Sequence, residues 1–460
     1  MKLKFIASVS IVFAYSFNGY GQILTLQDAL LRTENQYDKI KSKQQLVEAS
    51  AQNTAFQKQH YLPDFTLSAQ QSFGTINVQH GPMYAYGGLG SAATSMPLAE
   101  QNWNAAFGSL YFANINWNLF TFGRIKNQVE LGTKKELTAK ADVQQEIFQQ
   151  QIKVGAAYLN LLASQRIKFV QEKNAERAQV FYEMTNARAK SGLIPEVDAQ
   201  LAKAEWSNAK SLQIKAHDKE LEWSKQLAVA INDDFKTYEL DSLYSTSLPD
   251  ERLESNENNL SKHPYLQFQQ RKIDESEQNI ELLKSNKMPN LSAFGVIQGR
   301  GSGFEANYAQ DHSAYSTNYL KGVGIDRSNY LLGFSLTWNM TNFFRYNTKV
   351  KEQKYISQSL QYTFDLKQKE LKTLFHQANA QLKNAYNNFE EIKVQLNAAT
   401  FAYKQQTALY ENGLTNLVDF TQALYSLNRA EIEYEIAQNN VWQALLLIAS
   451  AQGDIQAFIR

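Results

Sequence analysis

A chain of 460 residues with 46 basic and 45 acidic side chains is close to neutral, and it has no block of like charge, which excludes the electrostatic footprint of a nucleic-acid binder. It contains no cysteine, which excludes a disulfide framework, a thiolate metal site and a lipidated N-terminal cysteine. Beyond the first 21 residues no stretch reaches 18 consecutive apolar residues, so no transmembrane helix is expected.

Those first residues differ from the rest. Lys2 and Lys4 precede an apolar run from Phe5 to Phe17, and Gly19-Tyr20-Gly21 follows as a small-residue cleavage site. The pattern predicts a secretory signal over 1–21 with Gln22 as the mature start. The run is too short for a membrane anchor, the competing reading. Leu24-Thr25-Leu26-Gln27-Asp28-Ala29 then opens a helix expected to run to about Gln59 and to stop at Pro63. Asp64 to Phe73 alternate, with Phe65, Leu67 and Ala69 on one face. A polar loop is expected from Gly74 to Gly108. The next strand puts Tyr111, Ala113, Ile115, Trp117 and Leu119 on one side and Asn114, Asn116 and Asn118 on the other.

From here the chain repeats itself. Trp117-Asn118-Leu119-Phe120-Thr121-Phe122-Gly123-Arg124 returns as Trp338-Asn339-Met340-Thr341-Asn342-Phe343-Phe344-Arg345. Gly192-Leu193-Ile194-Pro195-Glu196-Val197-Asp198 returns as Gly413-Leu414-Thr415-Asn416-Leu417-Val418-Asp419, and both pairs are offset by 221 residues. A loop would tolerate insertions, so a segment that keeps its length to the residue is a rigid element. Leu382, Ala385, Phe389, Ile392, Leu396, Ala399 and Tyr403 step by three and four, the seam of a coiled coil. A helix from about Arg345 to Asn412 would run roughly 100 Å at 1.5 Å per residue. After the Gly-Leu tip, Ala423, Leu427, Ala430, Tyr434, Ala437, Val441 and Ala444 give a returning helix whose small residues permit close approach. The first copy keeps Ala202, Ala209 and Ala216 but carries Trp206 among them and Trp223 beyond.

The expected domains are therefore a first repeat over 22–240, a mixed polar connector over 241–262, and a second repeat over 263–460. In the second repeat a helix from Pro264 to about Asn286 ends at Pro289, a strand runs from Leu291 to Ile297, and a loop spans Gly299 to Asp326. Its last strand alternates Leu332, Phe334, Leu336, Trp338 and Met340 with Gly333, Ser335, Thr337 and Asn339.

Four strands with one apolar and one small-polar face fit either a soluble sandwich or a wall between lipid and water. Strand length and two aromatic clusters favour the wall. Trp117, Phe120 and Phe122, with Trp338, Phe343 and Phe344, read as a membrane-interface girdle; a packed aromatic core at the strand–helix junction is the alternative. Four strands cannot close a barrel, and an open edge is not tolerated in lipid, so the barrel must be shared between chains. Two chains would give eight strands and a filled interior; three would give twelve and begin to leave a hole.

No catalytic constellation is found. The six histidines are scattered, there is no HExxH, GxSxG or P-loop, and Gly299-Arg300-Gly301-Ser302-Gly303 reads as a surface loop rather than a phosphate cradle. No cofactor or metal is expected. The informative polar positions are the tips. Gly192 and Gly413 fit left-handed C-caps, Pro195 fits the first turn of the following helix, and Asp198 and Asp419 fall near its positive end. Asp419 reads equally as a helix cap or, in a symmetric oligomer, as one member of an acidic ring favouring cations; Asp198 reads as a cap.

These features together resemble the TolC-like outer membrane efflux protein family across essentially the whole mature chain. The resemblance is carried by the opening Leu24–Ala29, the breaks Leu62-Pro63-Asp64-Phe65 and Met288-Pro289-Asn290-Leu291, and the twin tips. It implies a homotrimer with four strands per chain in a shared 12-stranded outer-membrane barrel, plus a periplasmic tunnel of antiparallel helices. It implies tips that meet a periplasmic adaptor and an inner-membrane pump of the RND, ABC or MFS type. It also implies an entrance lined by Tyr410 to Ala423, in which Tyr410, Gly413 and Asp419 match; the usual second carboxylate is replaced by Gln422, and a basic residue near Thr415 is missing. The expected function is a passive exit duct in the outer membrane; the alternative is an exported coiled-coil scaffold that conducts nothing.

Overall fold

The structure is a computed structural model that describes residues 23–78, 96–249, 257–456 and 458–459. The expected signal segment and the middle of the 74–108 loop lie outside these. In chain order the elements are α1 (Leu26–Gln36), α2 (Asp38–Gln59), β1 (Asp64–Thr75), β2 (Ala105–Phe120), α3 (Arg124–Lys190), α4 (Glu196–Ile231), α5 (Leu243–Thr246), α6 (Pro264–Ser285), β3 (Asn290–Ser302), α7 (Tyr319–Val323), β4 (Arg327–Thr337), α8 (Thr341–Glu411) and α9 (Leu417–Gln452), with a 3-10 turn at Glu257–Lys262. The described residues fall into two compact units, one within 1–47, 138–271 and 361–460, the other within 48–137 and 272–360.

The second unit holds a four-stranded antiparallel sheet in the order β1-β2-β3-β4, so β1 and β4 are both open edges. Register sets the two faces. Phe65 pairs with Ile115 and Leu67 with Ala113, while Ile115 pairs with Gly295 and Gly295 with Leu332, giving one apolar face. Thr66 pairs with Asn114 and Ser292 with Ser335, giving a polar face. On the apolar side Tyr330, Leu332, Phe334 and Leu336 are each at least 67% exposed, so the β4 part of this face is not covered by the described residues. The polar side lines a hollow with Asn114, Asn116, Ser292, Ser335 and Thr337.

Three strands differ from their expected spans. β3 continues through Gly299 to Ser302, where the glycines suggest a loop. The reason is tertiary: a Cβ on Gly301 would lie 1.9 Å from the carbonyl oxygen of Gly324, which passes over this face. The glycines keep a strand flat enough to be crossed. β2 likewise starts at Ala105, inside the expected loop. β4 spans Arg327–Thr337, earlier than the alternation suggested, because Arg300 to Asn290 need partners along their whole length and find them there.

In the other unit the core lies among the helices. Trp442 and Tyr158 are fully buried, Trp442 donates to the Ser247 carbonyl at 3.0 Å, and Tyr158 donates to the Leu24 carbonyl at 3.1 Å. Part of the connector is therefore packed structure: Tyr244 of α5 meets Trp442 edge to face at 4.7 Å. The coiled-coil seam reads as expected, with Ala423, Leu427, Ala430, Ala437, Val441 and Ala444 all buried. One expected helix is broken in two at Tyr37, which is extended. Asn232, in the left-handed conformation after α4, donates its side-chain amide to the Gln36 carbonyl at 3.0 Å and removes that acceptor from the helical ladder.

Among the described residues, the buried carboxylates Glu146, Glu220 and Glu435 of this unit are each paired with a basic side chain. Glu146 on α3 is 3% exposed and accepts from Lys39 at 2.7 Å and Lys43 at 3.1 Å, while Lys43 also reaches Asp142 at 2.8 Å. Burial pushes the Glu146 carboxyl up, but the two lysine hydrogen bonds outweigh it and hold it below the ordinary carboxylate range. A depressed folded-state value contributes stability above the unfolded value, near pH 4.3, that is lost as pH falls through the folded one. Glu146→Gln is expected to lower stability by about 1–2 kcal/mol at neutral pH. The gap between variant and parent melting midpoints should close as the pH drops below about 4; a gap independent of pH would contradict the ion-pair account.

Candidate functional site: helix tips and aromatic belts

The two hairpin tips are built alike. α3 and α8 each end in glycine with φ +70°, Gly192 and Gly413. At the first, the Gly192 amide donates to Ala189 and the Leu193 amide to Arg188; at the second, Gly413 donates to Tyr410 and Leu414 to Leu409. This paired 5→2 and 6→1 pattern satisfies carbonyls that a helix end leaves orphaned, and only a residue tolerant of positive φ closes it. The helices that leave the tips are capped differently. α9 has Asn416 as its cap, accepting from the Asp419 amide at 2.9 Å, and the Asp419 carboxylate accepts from the Thr415 hydroxyl at 3.3 Å. α4 has Pro195 in the cap position itself, one residue ahead of the helical turn expected for it, with the Asp198 amide donating to the Pro195 carbonyl.

Beneath the tips sits an aromatic knot. Phe181 stacks on Phe420 at 4.1 Å, and Tyr410 contacts both at 5.2 and 5.4 Å. Tyr410 is 5% exposed, so its ring is held inside the subunit, whereas Asp419 and Gln422 are on the surface. Asp198 is half-buried.

The residue that joins the two tips is Arg188, which the sequence reading did not single out. Its guanidinium donates to the Tyr410 carbonyl at 2.9 Å and to the Glu411 carbonyl, and lies over the Tyr410 ring at 5.6 Å. It thereby neutralises the negative end of α8 and pins it to the last turn of α3. The sequence offers no distinct signal for it: the equivalent residue of the second copy is Leu409, but most positions just before the two tips differ between the copies.

The strand-to-helix junctions carry the aromatic clusters. Trp117 donates its indole N–H to the Tyr61 carbonyl at 2.9 Å, and Trp338 donates to the Lys287 carbonyl at 2.9 Å. Each indole thus ties off the break just before Pro63 or Pro289 and leaves its ring outside. Phe120 and Phe122 meet edge to face at 4.6 Å, Phe343 and Phe344 at 5.8 Å. All six rings of the two clusters are between 41% and 73% exposed in the single chain.

Replacing Arg188 with Ala is expected to speed hydrogen exchange of the Gly413 and Leu414 amides about ten- to a hundredfold, the range for a charged hydrogen bond of 1.5–3 kcal/mol. Exchange unchanged at these amides would show that the tip cap stands without the arginine. Gly413→Ala and Gly192→Ala should each cost about 1 kcal/mol through the positive φ alone, read as a lower melting midpoint.

A family model described as outer membrane efflux protein matches residues 26–233 and 257–454. Among solved structures, the Campylobacter jejuni CmeC outer membrane channel is similar with a TM-score of 0.76 at 13% identity, over 93% of this chain and 85% of that one. The Vibrio cholerae outer membrane protein VceC gives 0.73 at 11% identity, over 93% and 96%. The open state of the Neisseria gonorrhoeae MtrE outer membrane channel gives 0.69 at 15% identity, over 93% and 89%. Likeness at these identities is likeness of fold. No match is found among curated protein sequences.

Proposed function

Taking as premise that the chain belongs to the outer membrane efflux protein family, we propose that it is the passive exit duct of a tripartite efflux or secretion system. The family is one of outer-membrane channels, and the chain has their fold. The observation that carries the reading is the sheet. It has two open edges, one face of exposed large apolar side chains, and one face of Asn, Ser and Thr. In water that apolar face would be a strong aggregation surface, and in lipid the edges would be intolerable unless paired. Three chains closing one barrel satisfy both demands, with lipid outside and water inside. The two junction clusters form the girdle at one interface. Signal cleavage after Gly21 delivers the chain to the envelope.

In this reading the tips form the periplasmic entrance, where a periplasmic adaptor docks and an inner-membrane pump of the RND, ABC or MFS type supplies the energy. Asp419, exposed in three copies, favours cations there, with Gln422 one turn on adding no charge. Arg188 takes the place of the basic residue missing near Thr415: it holds the two hairpins of one subunit together, and opening requires it to let go of Tyr410 and Glu411.

Single-channel recording of the purified protein in a planar bilayer tests the duct. Steady conductance from a trimer is expected; a folded protein that never conducts favours the scaffold reading. Arg188→Ala should raise the mean conductance or the open fraction several-fold, and Asp419→Asn should lower the cation-to-anion permeability ratio without closing the pore. A permeability ratio unmoved by Asp419→Asn would leave that carboxylate as a helix cap alone.

A further inference from the structure

The β3–β4 connection folds back over the apolar face of the sheet. Ser109 and Tyr111, both on that face of β2, donate their hydroxyls to the Val323 carbonyl at 3.0 and 3.2 Å. Tyr319 packs edge to face on Phe107 at 5.2 Å, and Phe107 in turn meets Phe73 at 4.7 Å. The fit depends on missing side chains. A Cβ on Gly322 would sit 2.4 Å from Phe107, and one on Gly299 would sit 3.0 Å from Ile325. A segment with this many close approaches is built to lie where it lies.

Its outer surface is apolar. Leu320 is 76% exposed and Ile325 60% exposed, and Ile325 lies against Gly299 on the same face as Leu332 and Tyr330. Its polar groups are tied off: Tyr319 donates to Gln71 at 2.7 Å, Gln71 donates to the Tyr111 hydroxyl at 2.7 Å, and Lys321 pairs with Glu305 at 2.8 Å. The height also fits. Phe107 lies ten residues along β2 from Trp117, or about 33 Å of strand at 3.3 Å per residue. At a tilt of about 40° this is about 25 Å along the membrane normal, the height of the apolar band between two aromatic girdles. Phe73, Phe107 and Tyr319 then stand where the second girdle belongs, with the mixed ring-and-hydroxyl character of an interface.

We propose that residues 319–325 form a collar embedded in the outer leaflet of the bilayer, with Leu320 and Ile325 against acyl chains and Tyr319 toward the headgroup boundary. The partner is the lipid surface itself. The assignment rests on the reading that the apolar sheet face meets lipid.

The natural absence of cysteine makes the test clean. Single variants Leu320→Cys, Ile325→Cys, Leu332→Cys and Ser335→Cys of the full chain would be nitroxide-labelled and reconstituted into phosphatidylethanolamine–phosphatidylglycerol vesicles. Collision of each label with oxygen and with a water-soluble nickel chelate would be measured by power saturation. Labels at 320 and 325 are expected to be several-fold less open to nickel than the label at 335, and to match the oxygen access at 332. If 320 and 325 are as open to nickel as 335 while 332 is shielded, the collar is wrong and the lipid-facing sheet stands. If 332 is open to nickel as well, the sheet reading fails and the collar fails with it.

Discussion

An unpaired peptide group has nowhere to go in hydrocarbon, and this constraint governs the molecule. Each of β1 and β4 presents a row of N–H and C=O groups that no neighbouring strand among the described residues takes up. In water such an edge is a liability; in lipid each unpaired group costs several kcal/mol. A four-stranded meander with one apolar face is therefore an incomplete object, and in the proposed duct its missing hydrogen bonds come from other copies. In the proposed shared wall, the alternation of Asn, Ser and Thr with Leu, Phe and Tyr decides which side is wet.

The helices meet the same demand in the opposite way, because a helix satisfies its own ladder and leaves only its ends exposed. α3 and α8 run for 67 and 71 residues, so the orphaned carbonyls are concentrated at two tips. That is where glycines with positive φ, the Asn416 cap and the Arg188 guanidinium gather. Between the ends, Ala at the buried seam of α9 brings helices close, and charged pairs fix their register: Arg177 grips Glu431 with two hydrogen bonds, and Arg166 holds the buried Glu435 at 3.1 Å. Polar seam contacts of this kind cost stability compared with leucine but penalise a slipped alignment. For a pair of helices this long, a slipped alignment would displace every contact along the seam, so alignment is the more important quantity.

The glycines around the β3–β4 connection show a third use of the same logic. At the tips glycine supplies a conformation; at Gly301 and Gly322 it supplies space. Space is invisible in one dimension, since nothing in a run of alternating glycines says that another segment crosses them.

The repeat offset, the helical seam, the two Gly-Leu tips and the two-faced strands were all legible in the residues, because each follows from local periodicity or from the φ that a single residue must adopt. They settle the fold class and, with the twinned motifs, the kind of protein this is. What the residues left open was decided by contacts between distant segments. The break at Tyr37 depends on Asn232, the extension of β3 on Gly324 lying across it, the start of β4 on the full length of β3, and the joining of the tips on Arg188 reaching α8. Each partner lies at least 23 residues away in sequence or belongs to a separate element, and no periodicity encodes which distant group arrives at a given carbonyl. Pattern fixes what an element is; only packing fixes where it stops and what holds its end.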